Sequence, residues 1–236
     1  MKIAVLLCGQ PRFRKDFEDF LTNLKGFDSA DYFCYFTPDN TAETEEKMPM
    51  EFWRQITDKD VSKNALQSLL PANSTIQVFE LSDSDYINLP SEPPGVTNPM
   101  YKAWYNLYQV NQLRLKFQHE NNIQYDMIVR ARPDVGLMDE LNVSQFVDSE
   151  YLIIPKNKIA SHWTPNSPRM CDQFSFGGER AMNVYCDMLR TTGTNPYTQN
   201  REMWHAESAH GYHMINNNVS VASANFRITL RGDGNN

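Results

Sequence analysis

Apolar positions along the chain follow two rhythms. One is the short continuous run: Ile3-Ala4-Val5-Leu6-Leu7-Cys8, Tyr32-Phe33-Cys34-Tyr35-Phe36, Thr75-Ile76-Gln77-Val78-Phe79, Met127-Ile128-Val129, Tyr151-Leu152-Ile153-Ile154-Pro155 and Cys171-Asp172-Gln173-Phe174-Ser175-Phe176-Gly177-Gly178. Runs of this length, rich in β-branched and aromatic residues, predict strands, and buried ones where no polar residue alternates. The other is the helical spacing. Phe17, Phe20, Leu21 and Leu24 predict a helix from about Arg14 to Leu24, and Met100, Trp104, Leu107, Tyr108, Asn111 and Leu115 predict a long one from Asn98 to about Asn121, with Pro99 in its first turn. Further helices are expected near Lys63 to Leu70, Glu179 to Leu189 and Arg201 to Asn216. Val135-Gly136-Leu137, Val219-Ser220-Val221 and Phe226-Arg227-Ile228-Thr229-Leu230 are expected as further strand.

Between these lie polar connections: an acidic loop from Asn40 to Pro49, an irregular stretch from Ser82 to Gly95 with three prolines, and a loop over Ser161 to Arg169. Strands that alternate with helices predict an α/β fold with a largely parallel central sheet, to which the closely spaced later strands add a smaller antiparallel portion. A chain of 236 residues is expected to form one domain, 1–236.

Composition narrows the picture. Hydrophobic content of 41% and charged content of 22% are those of a globular protein, and the longest apolar runs fall far short of the ~20 residues that span a bilayer. A net charge of −7 argues against general nucleic-acid binding, which needs a basic face. Cys8, Cys34, Cys171 and Cys186 are scattered without a Cys-x-x-Cys pair, as in reduced, buried thiols of a cytoplasmic protein. The apolar start ends too soon, at Gln10-Pro11-Arg12, to read as a signal peptide.

The chemistry concentrates in Tyr125-Asp126-Met127-Ile128-Val129-Arg130-Ala131-Arg132-Pro133-Asp134-Val135. Here a strand closes on two arginines, a proline that stops the ladder, and a carboxylate. In open α/β sheets, ligands lie beyond the carboxyl ends of the strands. Guanidiniums bind phosphate oxygens in bidentate fashion and a carboxylate can hold a divalent ion, so the set suits a nucleotide diphosphate. It equally suits an Arg/Asp ion-pair cluster that caps the strand. Arg130 and Arg132 are two apart on a strand and share a face, so both act on a ligand or both are structural. The turn Gly9-Gln10-Pro11-Arg12 after the first strand is a second place where a nucleotide can approach backbone, through Gly9, Gln10 and Arg12. Glu207, His210 and His213 recur every three residues on one face of a late helix.

The opening Ala4 to Arg12, the stretch Tyr125 to Asp134 and Asp172-Gln173-Phe174-Ser175-Phe176-Gly177 together resemble glycosyltransferases of the GT-A type found in bacterial surface-polysaccharide loci, phages and large DNA viruses. The resemblance runs in order from residue 3 to about residue 215. It implies a Rossmann-like nucleotide-sugar-binding half, 1–135, and an acceptor-binding half, 136–236, within one continuous sheet. It implies a nucleotide-sugar donor, a glycan or other hydroxyl acceptor, and Mn²⁺ or Mg²⁺ on the diphosphate. Where that family has an Asp-x-Asp motif this chain has Arg132-Pro133-Asp134. Either Asp134 holds the ion with help from elsewhere, or the arginines replace part of its charge. His210 and His213 are the late histidines that would complete a metal shell with Asp134. Asp172 is the first candidate for the base and Glu207 the second, Gln173 is placed to bond sugar hydroxyls, and Trp163 and Trp204 are candidates for stacking on a sugar or base. Two other readings remain: a non-catalytic nucleotide- or carbohydrate-binding protein on the same fold, and a nucleotidyltransferase, which would want more than the one glycine at Gly9 to Arg12.

Overall fold

The structure is a computed structural model and describes residues 1–9, 15–36, 70–71, 74–80, 98–147, 149–156, 163–164, 167–168, 170–191 and 206–230. In chain order the elements are β1 (Lys2–Gly9), α1 (Lys15–Asn23), β2 (Leu24–Lys25), β3 (Ser29–Phe36), β4 (Thr75–Glu80), α2 (Asn98–Asn121), β5 (Met127–Ala131), β6 (Val135–Leu137), β7 (Leu141–Asn142), β8 (Leu152–Pro155), β9 (Trp163–Thr164), β10 (Ser167–Pro168), β11 (Phe174–Gly177), α3 (Glu179–Cys186), α4 (Ala206–Asn216), β12 (Val221–Ala224) and β13 (Ile228–Leu230). Short 3₁₀ turns cover Val143–Phe146 and Met188–Thr191. The expected loops at 40–49 and 82–95 and the expected helix at 63–70 lie outside the described residues, except for Leu70.

Seven strands form one sheet in the order β12-β8-β11-β5-β1-β3-β4. β5, β1, β3 and β4 are mutually parallel, β11 is antiparallel to both β5 and β8, and β12 is parallel to β8. The chain is therefore α/β with a large, mostly parallel mixed sheet in which β11 alone is reversed, and the antiparallel portion expected at the end of the chain is narrower than the sequence predicts. The segment at Phe226 to Leu230 contributes β13, which leaves the main sheet and pairs with β6 instead.

Register assigns the two faces. Arg130 stands beside Leu6 on one side and Ser175 on the other, and Leu6 stands beside Phe33. Phe33 meets Phe117 of α2 edge to face at 5.6 Å, so this row faces α2. Ala131 stands beside Leu7 and Phe174, and Phe174 meets Phe20 of α1 at 6.2 Å, so α1 covers the opposite face. On that second face Phe174, Phe176, Phe226 and Phe146 form a chain of ring contacts at 5.3 to 6.1 Å. Such tilted contacts each add of the order of 1 kcal/mol beyond the burial of area.

Helix α2 is buried on two sides rather than one. Leu107 and Val110 belong to the sheet-facing core, whereas Tyr101 and Trp104 pack with Met188 and Ala209. Its second half carries a fully buried Arg114, which donates to Asn111 Oδ1 at 2.9 Å, Gln118 Oε1 at 2.6 Å and Asn183 Oδ1, and reaches Glu179 at 3.4 Å. This clamp ties α2 to α3. A buried guanidinium is tolerable only when its donors are satisfied in this way.

The amino edge of the sheet is closed by its own polar set. Tyr125 Oη donates to Asp31 at 2.8 Å, Lys2 Nζ pairs with Asp31 at 2.9 Å, and Asp126 accepts the Lys2 backbone N–H at 2.7 Å. The front of the 125–135 stretch is thus structural, and its other end reaches the carboxyl edge.

Candidate functional site

β1 leads to β3 and β4 on one side, and β5 enters on the other, so the chain reverses direction across the sheet between β1 and β5. Such a switch point leaves a crevice at the carboxyl edge, because the connections from the two strands depart in opposite directions. Gly9 ends β1 there, and Arg132, Pro133 and Asp134 follow β5. Since Leu7 is level with Ala131, Gly9 is level with the turn that begins at Arg132. Gly9 has φ of +118°, a backbone conformation that side chains rarely adopt, and among the described residues no heavy atom lies within 4 Å of where a Cβ would stand. Among the described residues nothing covers the backbone at this point. Gln10 and Arg12 lie outside the described residues.

Past β5 the chain turns sharply. The Val135 N–H donates to the Arg132 carbonyl at 3.1 Å, and Pro133 fixes φ within the turn. Arg132 Nε donates to Asp134 Oδ1 at 2.9 Å and Nη2 to Asp134 Oδ2 at 2.6 Å. This is the bidentate fork that guanidinium and carboxylate geometry favours. The Asp134 side chain is 3% exposed and the Arg132 side chain 27%. The carboxylate is therefore the buried anchor and the guanidinium the accessible part. The ion-pair reading of the motif is correct for the Arg132–Asp134 pair, and it leaves a cation at the crevice.

Arg130 goes the other way. It is 6% exposed, on the face covered by α2 and α3, and its Nη1 donates to the backbone carbonyl of Asp172. Burial pulls its pKa down, but Tyr185, Cys8 and Asp172 around it more than offset that, and the guanidinium is held above the ordinary arginine value. Arg130 and Arg132 thus differ in accessibility despite their two-residue spacing. The Arg132 N–H donates to the Gln173 carbonyl at 3.0 Å. Both arginines accordingly fasten the Asp172-Gln173 turn to the end of β5, one by its side chain and one by its backbone.

Asp172 and Gln173 are half-buried at the entrance to β11. Asp172 Oδ1, Arg130 Nε, Ser175 Oγ and Tyr185 Oη are buried without a hydrogen-bond partner among the described residues. Register places Ser175 beside Arg130, a pairing that depends on strands far apart in the chain. Tyr185 comes from α3, and nothing in the local sequence announces it. The nearby Cys171 thiol is pushed up to about 11 by burial, so it is protonated and inert.

The late histidines both lie on α4. His210 is buried, stacks on Tyr185 at 4.9 Å and meets Trp104 edge to face at 6.0 Å. His213 Nε2 donates to the Val184 carbonyl at 2.7 Å, which leaves Nδ1 as the acceptor 2.9 Å from Thr191 Oγ1. Burial pushes its pKa below the ordinary 6.5, against the pull of the Val184 carbonyl and Asp187. Its ring nitrogens are engaged in joining α4 to α3 and to the 3₁₀ turn after it. Glu207 is half-buried in the first turn of α4, and its carbonyl accepts the Met170 N–H at 3.3 Å. The structure thus brings Gly9, Arg132, Asp134, Asp172 and Gln173 to the edge formed by the carboxyl ends of β1 and β5 and the amino end of β11, buries Arg130 behind them, and sets His213 in a helix-to-helix joint. Among the described residues no three His, Cys, Asp or Glu side chains gather as a metal-binding group, and both Asp134 oxygens accept from Arg132. The side chain of Trp163 and the whole of Trp204 lie outside the described residues.

No protein-family profile matches the chain, and no curated protein is significantly similar to it in sequence. Among the described residues no helix is long and apolar enough to cross a membrane.

Proposed function

We propose that this chain is a nucleotide-sugar-dependent glycosyltransferase, which moves a sugar from a nucleotide-diphosphate sugar to a hydroxyl of a glycan or other acceptor. One observation carries the reading: a glycine whose backbone is uncovered among the described residues, an accessible guanidinium and a carboxylate-amide pair meet where the carboxyl ends of β1 and β5 and the amino end of β11 share one edge, at the sheet's switch point. The large, mostly parallel mixed sheet is compatible with the Rossmann-like half that the resemblance to GT-A enzymes implies.

The chemistry matches that arrangement. Transfer places growing negative charge on the departing diphosphate, and a preorganised cation lowers the barrier most where it needs no rearrangement. Arg132 is such a cation, because Asp134 fixes its guanidinium. Asp172 is the base for the acceptor hydroxyl, held by the Arg130 bond to its carbonyl, and Gln173 orients hydroxyls beside it. No step here runs through a metal ion.

A panel of sugar nucleotides, incubated with and without mono- and disaccharide acceptors, tests the proposal by release of nucleoside diphosphate, with thermal shift as the readout of binding. At least one donor is expected to raise the melting temperature and to be consumed. Asp172→Asn is expected to keep the thermal shift and lose turnover. A thermal shift without any turnover in the native protein would instead favour a non-catalytic nucleotide- or sugar-binding protein, a reading to which the carboxylate already occupied by Arg132 lends support.

A further inference from the structure

We propose that the cation for the donor diphosphate is Arg132 itself, clamped by Asp134, and that this chain binds a nucleoside diphosphate without a divalent ion. The inference rests on the glycosyltransferase reading and specifies how its donor site is charged.

The geometry supplies the argument. A carboxylate that holds a divalent ion must offer at least one oxygen to it, and both Asp134 oxygens accept from the Arg132 fork at 2.9 and 2.6 Å. For an ion to take Asp134, the guanidinium would have to leave its only hydrogen-bond partner among the described residues while a second cation arrived beside it. Like charges at that range oppose each other strongly in a partly buried site. The pair is also built into the backbone. The Arg132 N–H is fixed on the Gln173 carbonyl, and its own carbonyl closes the turn with Val135. Pro133 sits between the two charged residues. Arg132 therefore has little freedom to swing aside.

What remains available is the edge of the guanidinium that Asp134 does not use. A guanidinium has five N–H donors, and Nη1 makes no hydrogen bond among the described residues. With its side chain 27% exposed, Arg132 is the cation of this turn that a ligand can reach, since Arg130 is buried behind it. A planar donor edge beside an open glycine backbone matches the oxygens of a diphosphate better than it matches a neutral sugar. During a single-displacement transfer, the bond from the anomeric carbon to the diphosphate oxygen breaks and its electron pair goes to that oxygen. The acceptor oxygen bonds to the anomeric carbon and its proton passes to the Asp172 carboxylate. Arg132 neither gains nor loses a proton in this step, and only its hydrogen bonds to the departing oxygens strengthen.

The test uses the full chain, stripped of metal and kept in EDTA, with UDP, GDP, ADP and CDP as the probes for calorimetry, repeated with MnCl₂ or MgCl₂ in place of EDTA. One diphosphate is expected to bind in EDTA with an affinity that metal changes by less than about 3-fold. Loss of a charge-assisted hydrogen-bond pair is worth roughly 2 kcal/mol, so Arg132→Met should weaken it by about 30-fold. Arg132→Lys, which keeps the charge but not the fork and guards against a misfolded methionine variant, should weaken it by at least about 10-fold. Binding that appears only with Mn²⁺ or Mg²⁺, or that survives both Arg132 variants, overturns the inference and leaves the glycosyltransferase reading standing. No binding of any diphosphate under either condition overturns the inference and removes the reading on which it rests.

Discussion

The Arg132–Asp134 fork is the joint on which the site turns, and its strength can be worked from its surroundings. Exposed ion pairs contribute up to about 1 kcal/mol, whereas breaking a buried pair costs about 3–5 kcal/mol. Here the carboxylate is 3% exposed and the guanidinium 27%, so solvent screens only one partner. A coupling of about 2 kcal/mol lies between those limits. Asp134→Asn removes the charge but keeps the shape, Arg132→Met removes the guanidinium, and the double variant completes the cycle. Urea unfolding of all four proteins measures it, with equal m-values as the check that the denatured state is unchanged. In a chain of this size ~2 kcal/mol corresponds to roughly 4–8 °C in Tm. A coupling below about 0.5 kcal/mol would show an ordinary surface pair. Arg132 would then have no fixed position, and the case for a preorganised cation would fail.

Three further outcomes test the fold around the site. Arg114→Met should destabilise the protein by about 3 kcal/mol in urea unfolding, because it strands Asn111, Gln118 and Asn183 at the α2–α3 joint, and a loss below about 1 kcal/mol would refute the clamp. Gly26→Ala should cost about 2–4 kcal/mol, since Gly26 has φ of +88° and an added Cβ would stand 2.0 Å from Asn142 Oδ1, the group that caps the Val143–Phe146 turn. For His213 the folded pKa is depressed below 6.5 by burial, so its contribution is fully present above about pH 6.5 and is lost as pH falls toward the folded pKa. The stability gap between the native protein and His213→Gln, measured by urea unfolding from pH 7.5 to 5, should narrow on acidification, and a constant gap would contradict the buried neutral imidazole.

Local pattern carried much of the fold. The apolar runs at 3–8 and 127–129 are sheet-centre strands, and the spacing from Met100 to Leu115 marks a helix with the bounds Asn98–Asn121. What it could not carry was pairing. Phe174-Ser175-Phe176-Gly177 reads as a strand, but its reversal between β5 and β8 depends on partners far apart in the chain. Phe226 to Leu230 reads equally well as a sheet strand, yet β13 pairs with β6. Arg114 lies seven residues after Leu107, on the buried face of α2, and only the arrival of α3 supplies the partners that make a guanidinium acceptable there. The site divides in the same way. The strand-end position of Arg132 and Asp134 follows from sequence, whereas their fork, the burial of Arg130 and the bond from His213 to Val184 depend on tertiary contacts. Three-residue spacing on α4 marks a shared face without saying that the face is a helix joint.

The central claim is that the crevice at the ends of β1 and β5 holds a sugar nucleotide and transfers its sugar. Release of nucleoside diphosphate from a sugar-nucleotide panel, measured as kcat/KM for native, Arg132→Met and Asp172→Asn proteins of equal fold by circular dichroism, tests this directly. The account predicts turnover of at least one donor, reduced by about 30-fold or more in the arginine variant, in line with the loss of ~2 kcal/mol of transition-state stabilisation. In the aspartate variant kcat should collapse while the donor-induced thermal shift persists. A native protein that neither consumes nor is stabilised by any sugar nucleotide would contradict it.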